Sequence, residues 1–141
     1  MSTENLQNEM YRTAAMGTSS IKQVLPSVHD STMRKELAKQ MCNYHNESNA
    51  VVSEMRQSHV QPKNLPMSAR MMTKAGIALN LAKDSSTQHI AEMMIQGTNM
   101  GIINLNKAIN SAKTAPKNTL KQAEEMLSRE QRYIDSLKKY L

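Results

Sequence analysis

The apolar residues of this 141-residue chain recur at alternating intervals of three and four, which is the spacing of one face of an α-helix. In the first segment, Leu6, Met10, Ala14 and Ile21 follow this spacing. Only four glycines and four prolines interrupt the chain, so few turns are available for a β-sheet fold. The sequence therefore predicts an all-α fold.

Breaks in the pattern, most of them near prolines, divide the chain into five helical segments. The predicted helices cover residues 4–25, 31–58, 67–82, 86–113 and 119–140. Four are long, and a short helix lies in the long connection between the second and third of these. This order favours a four-helix bundle with one crossover. We expect residues 1–141 to form a single domain, because a chain of this length usually builds one core.

Methionine takes the place of the large aromatic residues in this sequence. There are 13 Met and four Tyr but no Phe or Trp, which predicts a core of methionine and aliphatic side chains. The net charge is +6, but the basic residues are dispersed and aromatic rings are scarce, so nucleic acid ranks last among the partners considered. The N-terminus lacks the apolar segment of a signal peptide and no apolar run is long enough to cross a bilayer. We therefore expect a cytoplasmic protein with no membrane partner.

Two glycines four residues apart, Gly97 and Gly101, lie inside a predicted helix. A glycine there costs about 0.5–1 kcal/mol relative to alanine, so the pair needs a structural reason. We predict that they meet Ala14 and Gly17 across a close helix crossing, in which case Gly97→Leu destabilises the monomer. The alternative is that the glycines contact a second copy of the chain.

Glu130 falls on the apolar face of the last predicted helix, where a carboxylate must be paired, hydrogen-bonded or protonated. The partners within reach in the predicted bundle are Tyr44, His45, Ser48 and Gln96. We predict a structural hydrogen-bond network around Glu130. Two alternatives stay open: Glu130 is a metal ligand together with His45 and Gln96, or it is exposed at the edge of the helix.

Two pairs of side chains share a helix face at a spacing of three, namely Cys42 with His45 and His89 with Glu92. Each pair offers two metal ligands, whereas a closed zinc site takes four. We therefore interpret Cys42, the single cysteine, as a buried thiol.

Three segments of the chain carry a resemblance to a known superfamily: YRTAAMGTSSIKQVLPSVHD (11–30), RKELAKQMCNYH (34–45) and IAEMMIQGTNMGIINLNKAI (90–109). They resemble the ferritin-like superfamily, and within it the small bacterial bundles of unknown function and the spore-coat bundles of Gram-positive bacteria. The resemblance implies a bacterial protein with either a cytoplasmic or a spore-associated location. It also implies a two-metal site built from glutamates and Glu-x-x-His motifs. No glutamate here is followed by histidine at the third position, so we expect this site to be degenerate.

We therefore expect a non-catalytic, ferritin-like bundle with a structural or protein-interaction role. It should form a homo-oligomer, with a dimer favoured, or bind a protein partner. The sequence leaves open whether the protein is an enzyme and favours a role without catalysis. The alternative function is a metal-binding or oxidase-type bundle that holds iron or another transition metal at Glu130, His45 and Gln96, and only this alternative requires a cofactor.

Overall fold

The computed structural model describes residues 2–141, and over these residues the chain is all-α with no β-strand. The five helices are α1 (Ser2–Val24), α2 (Ser31–Gln57), α3 (Met67–Lys83), α4 (Thr87–Ser111) and α5 (Lys117–Leu137). Short 3₁₀ turns, Leu25–Ser27 and Lys138–Tyr140, follow α1 and α5. The all-α prediction is confirmed, and each helix begins and ends within three residues of its predicted range.

Local side-chain chemistry sets the starts of α2 and α4. The Asp30 carboxylate accepts a hydrogen bond of 2.8 Å from the backbone N–H of Met33, which caps α2. The Ser86 hydroxyl oxygen accepts one of 3.2 Å from the backbone N–H of His89, which caps α4. Each cap satisfies a backbone donor that the first turn of a helix leaves unpaired.

Polar contacts at both ends of α5 show that it runs antiparallel to α2. Near the start of α5, the Thr119 hydroxyl donates to the carboxylate of Glu54, close to the end of α2, at 3.0 Å. Near the end of α5, the Ser136 hydroxyl donates to Glu36, close to the start of α2, at 2.7 Å. The side chains of α1, α2, α4 and α5 enclose one apolar core.

The crossover segment returns along α1. The backbone N–H of Lys63 donates to Asn8 at 2.8 Å, and the Gln23 side chain donates to the carbonyl of Lys74 at 2.8 Å. The crossover therefore runs parallel to α1 and delivers the chain to the end of the molecule where α2 also begins. No residue of α3 is fully buried, so this helix lies on the outside of the core.

Methionine fills much of the core, as predicted. The fully buried methionines include Met10, Met33, Met55 and Met126. Other methionines lie on the surface, including three on α3. None of the helices in the described range has both the length and the apolar character needed to span a membrane.

The small residues of α1 pack differently from our expectation. Ala14 is fully buried, but Gly17 faces α2 rather than the glycines of α4. A β-carbon at Gly17 would come within 2.6 Å of the ring carbons Cδ2 and Cζ of Tyr44. Gly17 is therefore the position at which a bulky ring of α2 approaches the α1 backbone.

The predicted close crossing at Gly97 is wrong. A β-carbon at Gly97 would have no atom within 4 Å, so this glycine does not make room for a neighbouring helix. A β-carbon at Gly101 would lie 3.6 Å from the Thr13 methyl group and 3.9 Å from an oxygen of Glu130. The face of α4 that carries both glycines borders a cavity.

Candidate functional site

Glu130 lies inside the protein, on the core-facing side of α5, and is only 1% exposed. Met126 and Ile134, four residues before and after it, are buried on the same face. Because all three residues lie on one face of α5, the spacing that buries the two apolar side chains also buries the carboxyl group of Glu130. The predicted alternative of an exposed position at the helix edge is wrong.

Tyr44 of α2 is the hydrogen-bond partner of this carboxyl group. Its hydroxyl donates to Oε2 of Glu130 at 2.9 Å. The Tyr44 ring is buried against Gly17 and makes an edge-to-face contact with Tyr133, with 5.3 Å between ring centroids and 69° between planes. These contacts hold the hydroxyl in one orientation. The predicted hydrogen-bond network at Glu130 is therefore present, with Tyr44 as the partner.

Burial controls the protonation of this pair. It raises the pKa of Glu130 from its ordinary value of 4.5 to about 8, although the hydrogen bond from Tyr44 lowers it in part. Burial also raises the pKa of Tyr44, so its hydroxyl stays protonated and keeps its role as donor. At neutral pH the Glu130 carboxyl is therefore mostly protonated.

The second oxygen of Glu130, Oε1, is buried and has no hydrogen-bond partner among the described residues. Leaving a buried polar atom unpaired costs about 1–3 kcal/mol, and folded proteins rarely do so without a reason. Glu130 also lines a cavity, so a buried carboxyl group with one unpaired oxygen lies at the cavity wall.

The cavity lies between α1, α3 and α4 and has a volume of about 420 Å³. This volume falls within the range of about 300–1,000 Å³ that is typical of small-molecule sites. Glu130 and Tyr44 form its buried end. Its apolar wall includes Met16, Leu65, Ile77, Met93, Met94 and Met100. Its uncharged polar groups include Thr13, Thr73, Thr98 and Asn104.

Two charged side chains from α1, Glu9 and Arg12, also line this cavity. The Arg12 guanidinium donates through Nε to the carbonyl of Lys63 at 3.1 Å and is thereby tied to the crossover. Burial raises the pKa of Glu9, and the nearby charge of Arg12 lowers it in part. These two residues are one helical turn apart and partly compensate each other's charge.

A second buried carboxyl group, that of Glu47, lies on α2 one turn beyond Tyr44. The Arg129 side chain donates to its Oε1 at 2.7 Å, and the Tyr133 hydroxyl approaches the same oxygen at 3.5 Å. Burial raises the pKa of Glu47, while the charge of Arg129 opposes this. Burial also raises the pKa of Tyr133 to about 12. No pattern in the sequence predicts this cluster, because its members come from two helices and share no motif.

The other predicted companions of Glu130 lie elsewhere. His45 and Gln96 are both exposed, whereas Glu130 is buried, so the structure does not bring this set together. Cys42 is also exposed, and its interpretation as a buried thiol is wrong. It follows Met41, which is half-buried, and points away from the core face of α2.

His89 and Glu92 share a face of α4 as predicted, with 3.8 Å between Nδ1 and the nearer carboxylate oxygen. Within residues 2–141, no group of three or more His, Cys, Asp or Glu side chains is arranged to hold a metal ion. At Glu130, one carboxyl group and one phenol supply too few donors for the two-metal site that the resemblance implies. The residues present therefore do not fit such a site.

Comparisons of the chain with protein-family models, with curated proteins and with solved structures gave no match.

Proposed function

We propose that this protein is a non-catalytic binding protein, a ferritin-like helical bundle that holds a small ligand in the cavity between α1, α3 and α4. The observation that carries the proposal is Glu130, a buried carboxyl whose Oε1 lacks a partner at the wall of a largely apolar cavity. Ligand sites of this kind combine an apolar wall with a few polar groups that fix orientation. A bound ligand would complete the hydrogen bonding of Glu130.

The helix directions support the ferritin-like arrangement. Because the crossover runs along α1, α2 and α4 begin at the same end of the molecule and run the same way. Two antiparallel helix pairs joined by a long crossover are typical of that superfamily. A metal-binding or oxidase-type role at Glu130 would need ligands other than His45 and Gln96, whose side chains are exposed.

The binding proposal is tested by NMR of protein labelled with ¹³C at the methionine methyl groups. Benzyl alcohol and benzylamine serve as probes, because both have an apolar ring and one polar group. We expect the signals of Met93 and Met94, which line the cavity, to shift during the titration. The signals of Met33 and Met55, which are buried elsewhere in the core, should not move. The proposal is wrong if neither probe shifts the cavity methionines of the folded protein.

A cavity-filling variant tests the location independently. Gly97→Leu adds a bulky side chain at an exposed position of the cavity wall, so it should narrow the cavity and weaken the methionine shifts. Gly76→Leu on α3 is the matched control, because its β-carbon also meets open space but Gly76 does not line this cavity. The location is wrong if both variants bind the probes equally well.

A second candidate function, protein interaction, is favoured by the exposed apolar face of α3. The apolar side chains exposed there, each between 63% and 76%, are Met67, Met71, Met72 and Leu79. A group of exposed apolar side chains often marks a protein contact, and methionine adapts readily to a partner surface. The occupant we propose for this face is a second copy of the chain.

Light scattering tests this second candidate. The wild-type chain should form dimers, and replacing both Met71 and Met72 with lysine should give monomers. Leu141→Lys is the control, because Leu141 is also an exposed apolar residue but lies at the end of the chain, away from α3. A wild-type protein that stays monomeric at high concentration contradicts this candidate.

A further inference from the structure

We infer that the ligand of the cavity is a small organic ammonium ion with an apolar body, whose N–H group donates to the carboxylate of Glu130. The inference rests on the proposed function, because it names the chemical class of ligand that the same cavity binds. It is carried by the charges around the cavity and by the nature of its wall.

The carboxyl groups near the cavity differ in their partners. Glu47 is paired with Arg129 through the 2.7 Å contact, and Glu9 lies beside Arg12. Glu130 receives only the neutral hydroxyl of Tyr44 on Oε2, and its Oε1 receives nothing. Of these three carboxyl groups, Glu130 is therefore the one that no cationic side chain contacts. It also lines the cavity.

Tyr44 prepares Glu130 for an ionised state. A phenol that donates to a carboxylate favours the charged form, and the remaining oxygen then accepts a donor most strongly when that donor is itself charged. An ammonium ion fits this position, because it supplies both the donor and the compensating charge. A neutral ligand would supply at most the donor.

The wall of the cavity suits the rest of such a ligand. Methionine side chains from α1 and α4, including Met16, Met93 and Met94, offer polarizable thioethers and methyl groups. The Tyr44 ring also lines the cavity, and an aromatic face attracts cations within about 6 Å. The apolar body of the ligand would lie against the methionines while the ammonium group reaches the buried end.

Binding should be coupled to proton release. Glu130 has a pKa of about 8, so near neutral pH a cation must displace the proton that the free carboxyl holds. The other titratable groups near the carboxyl are Glu9 and Arg12 from α1, Tyr44 and Glu47 from α2, and Arg129 and Tyr133 from α5. The cavity residues of α3 and α4 are uncharged. Glu130 is therefore the group that we expect to set the pH dependence.

Calorimetric titration with benzylamine and benzyl alcohol tests the inference. Only the ionised form of Glu130 should bind the cation. The affinity for benzylamine should therefore rise about tenfold per pH unit between roughly pH 6 and 7.5. The affinity for benzyl alcohol, the neutral probe of the same shape, should change less than about twofold over the same range. An affinity for benzylamine that does not rise with pH overturns the inference, and this readout needs no variant.

Glu130→Gln keeps the size of the side chain and removes its charge. In this variant, benzylamine should bind at least about tenfold more weakly at pH 7.5, and the loss of affinity should be smaller for benzyl alcohol, which carries no charge. Glu124→Gln, at an exposed position of the same helix, is the matched control and should behave as the wild type.

The outcomes separate this inference from the proposed function. If both probes shift the cavity methionines but Glu130→Gln binds benzylamine as tightly as the wild type, the cavity binds ligands and the inferred cation is wrong. If neither probe shifts those methionines, the proposed function fails and the inference fails with it.

Discussion

The side chain of Tyr44, on α2, connects this helix with α1 and α5. Its ring packs on Gly17 of α1, its hydroxyl donates to Glu130 of α5, and its edge contact reaches Tyr133 on the same helix as Glu130. Moving the ring would break the only hydrogen bond that the Glu130 carboxyl makes to another described residue. The Tyr44 ring can therefore hold this position only because Gly17 has no side chain.

Gly17→Ala should consequently destabilise the protein. The added methyl group overlaps a ring that its other contacts hold in place, and overpacking of this kind costs about 1–3 kcal/mol. This cost exceeds the gain of about 1 kcal/mol that alanine brings to a helix interior. The measurement is the free energy of unfolding in urea, followed by circular dichroism.

Gly97→Ala is the matched control and should have the opposite sign. Its methyl group meets open space, so only the helix propensity changes and the protein should gain about 0.5–1 kcal/mol. The two substitutions are chemically identical and both lie inside long helices. Equal effects at both positions would contradict the role assigned to Gly17.

The sequence located Glu130 correctly but misplaced Cys42, because it does not show how the core face of α2 is rotated. Burial on a single helix follows from the spacing of its own residues, which the sequence contains. The core face of α2, however, also includes Gln40 and Glu47, because α5 supplies polar partners for them. Such partners come from another helix, so periodicity within α2 alone could not reveal how its face is rotated.

Helix α3 differs from the other helices in how it is held. None of its residues is fully buried, and a further cavity of about 300 Å³ separates part of it from α1. Its contacts to α1 include the hydrogen bond between Gln23 and Lys74. A helix with few buried apolar contacts opens locally at a lower free energy than the core does. Two of its residues, Thr73 and Ile77, also line the candidate ligand cavity.

Amide hydrogen exchange should therefore be faster in α3 than in α5, whose core face is buried. Saturating benzylamine should slow exchange in α3, because a bound ligand would contact Thr73 and Ile77 and stabilise the closed position. Exchange in α5 should change less. Mass spectrometry of peptides from 67–83 and 117–137 measures the exchange of both helices, with and without benzylamine. Equal protection of the two helices without ligand would contradict the expected faster exchange of α3.

At the level of elements, the sequence predicted the five helices and their order, because prolines and capping residues mark their ends. It did not predict the cavity. The cavity exists because three helices leave part of the space between them unfilled. The apolar pattern on each helix is compatible with a filled space and with an open one. The sequence likewise does not decide whether the methionines of α3 are buried or exposed, because an amphipathic pattern does not show whether a helix has a partner on its apolar face.

Among residues 2–141, three carboxyl groups have a pKa that is raised chiefly by burial, namely Glu9, Glu47 and Glu130. In the unfolded chain each of them ionises near its ordinary pKa of 4.5. Between that pH and the folded pKa, the folded state therefore binds more protons than the unfolded state. By linkage, such groups make the free energy of unfolding fall as the pH rises.

Glu130→Gln should remove the largest part of this pH dependence. For Glu130 the window runs from about pH 4.5 to about pH 8, and within it the wild-type protein should lose up to about 1.4 kcal/mol per pH unit. The glutamine variant cannot ionise, and its side-chain oxygen can still accept from Tyr44. It should therefore show a shallower slope and become the more stable protein near pH 8. Urea unfolding at several pH values checks this, with Glu124→Gln as the control that keeps the wild-type slope. Parallel curves for the wild type and Glu130→Gln would show that the buried carboxyl does not titrate as the structure requires.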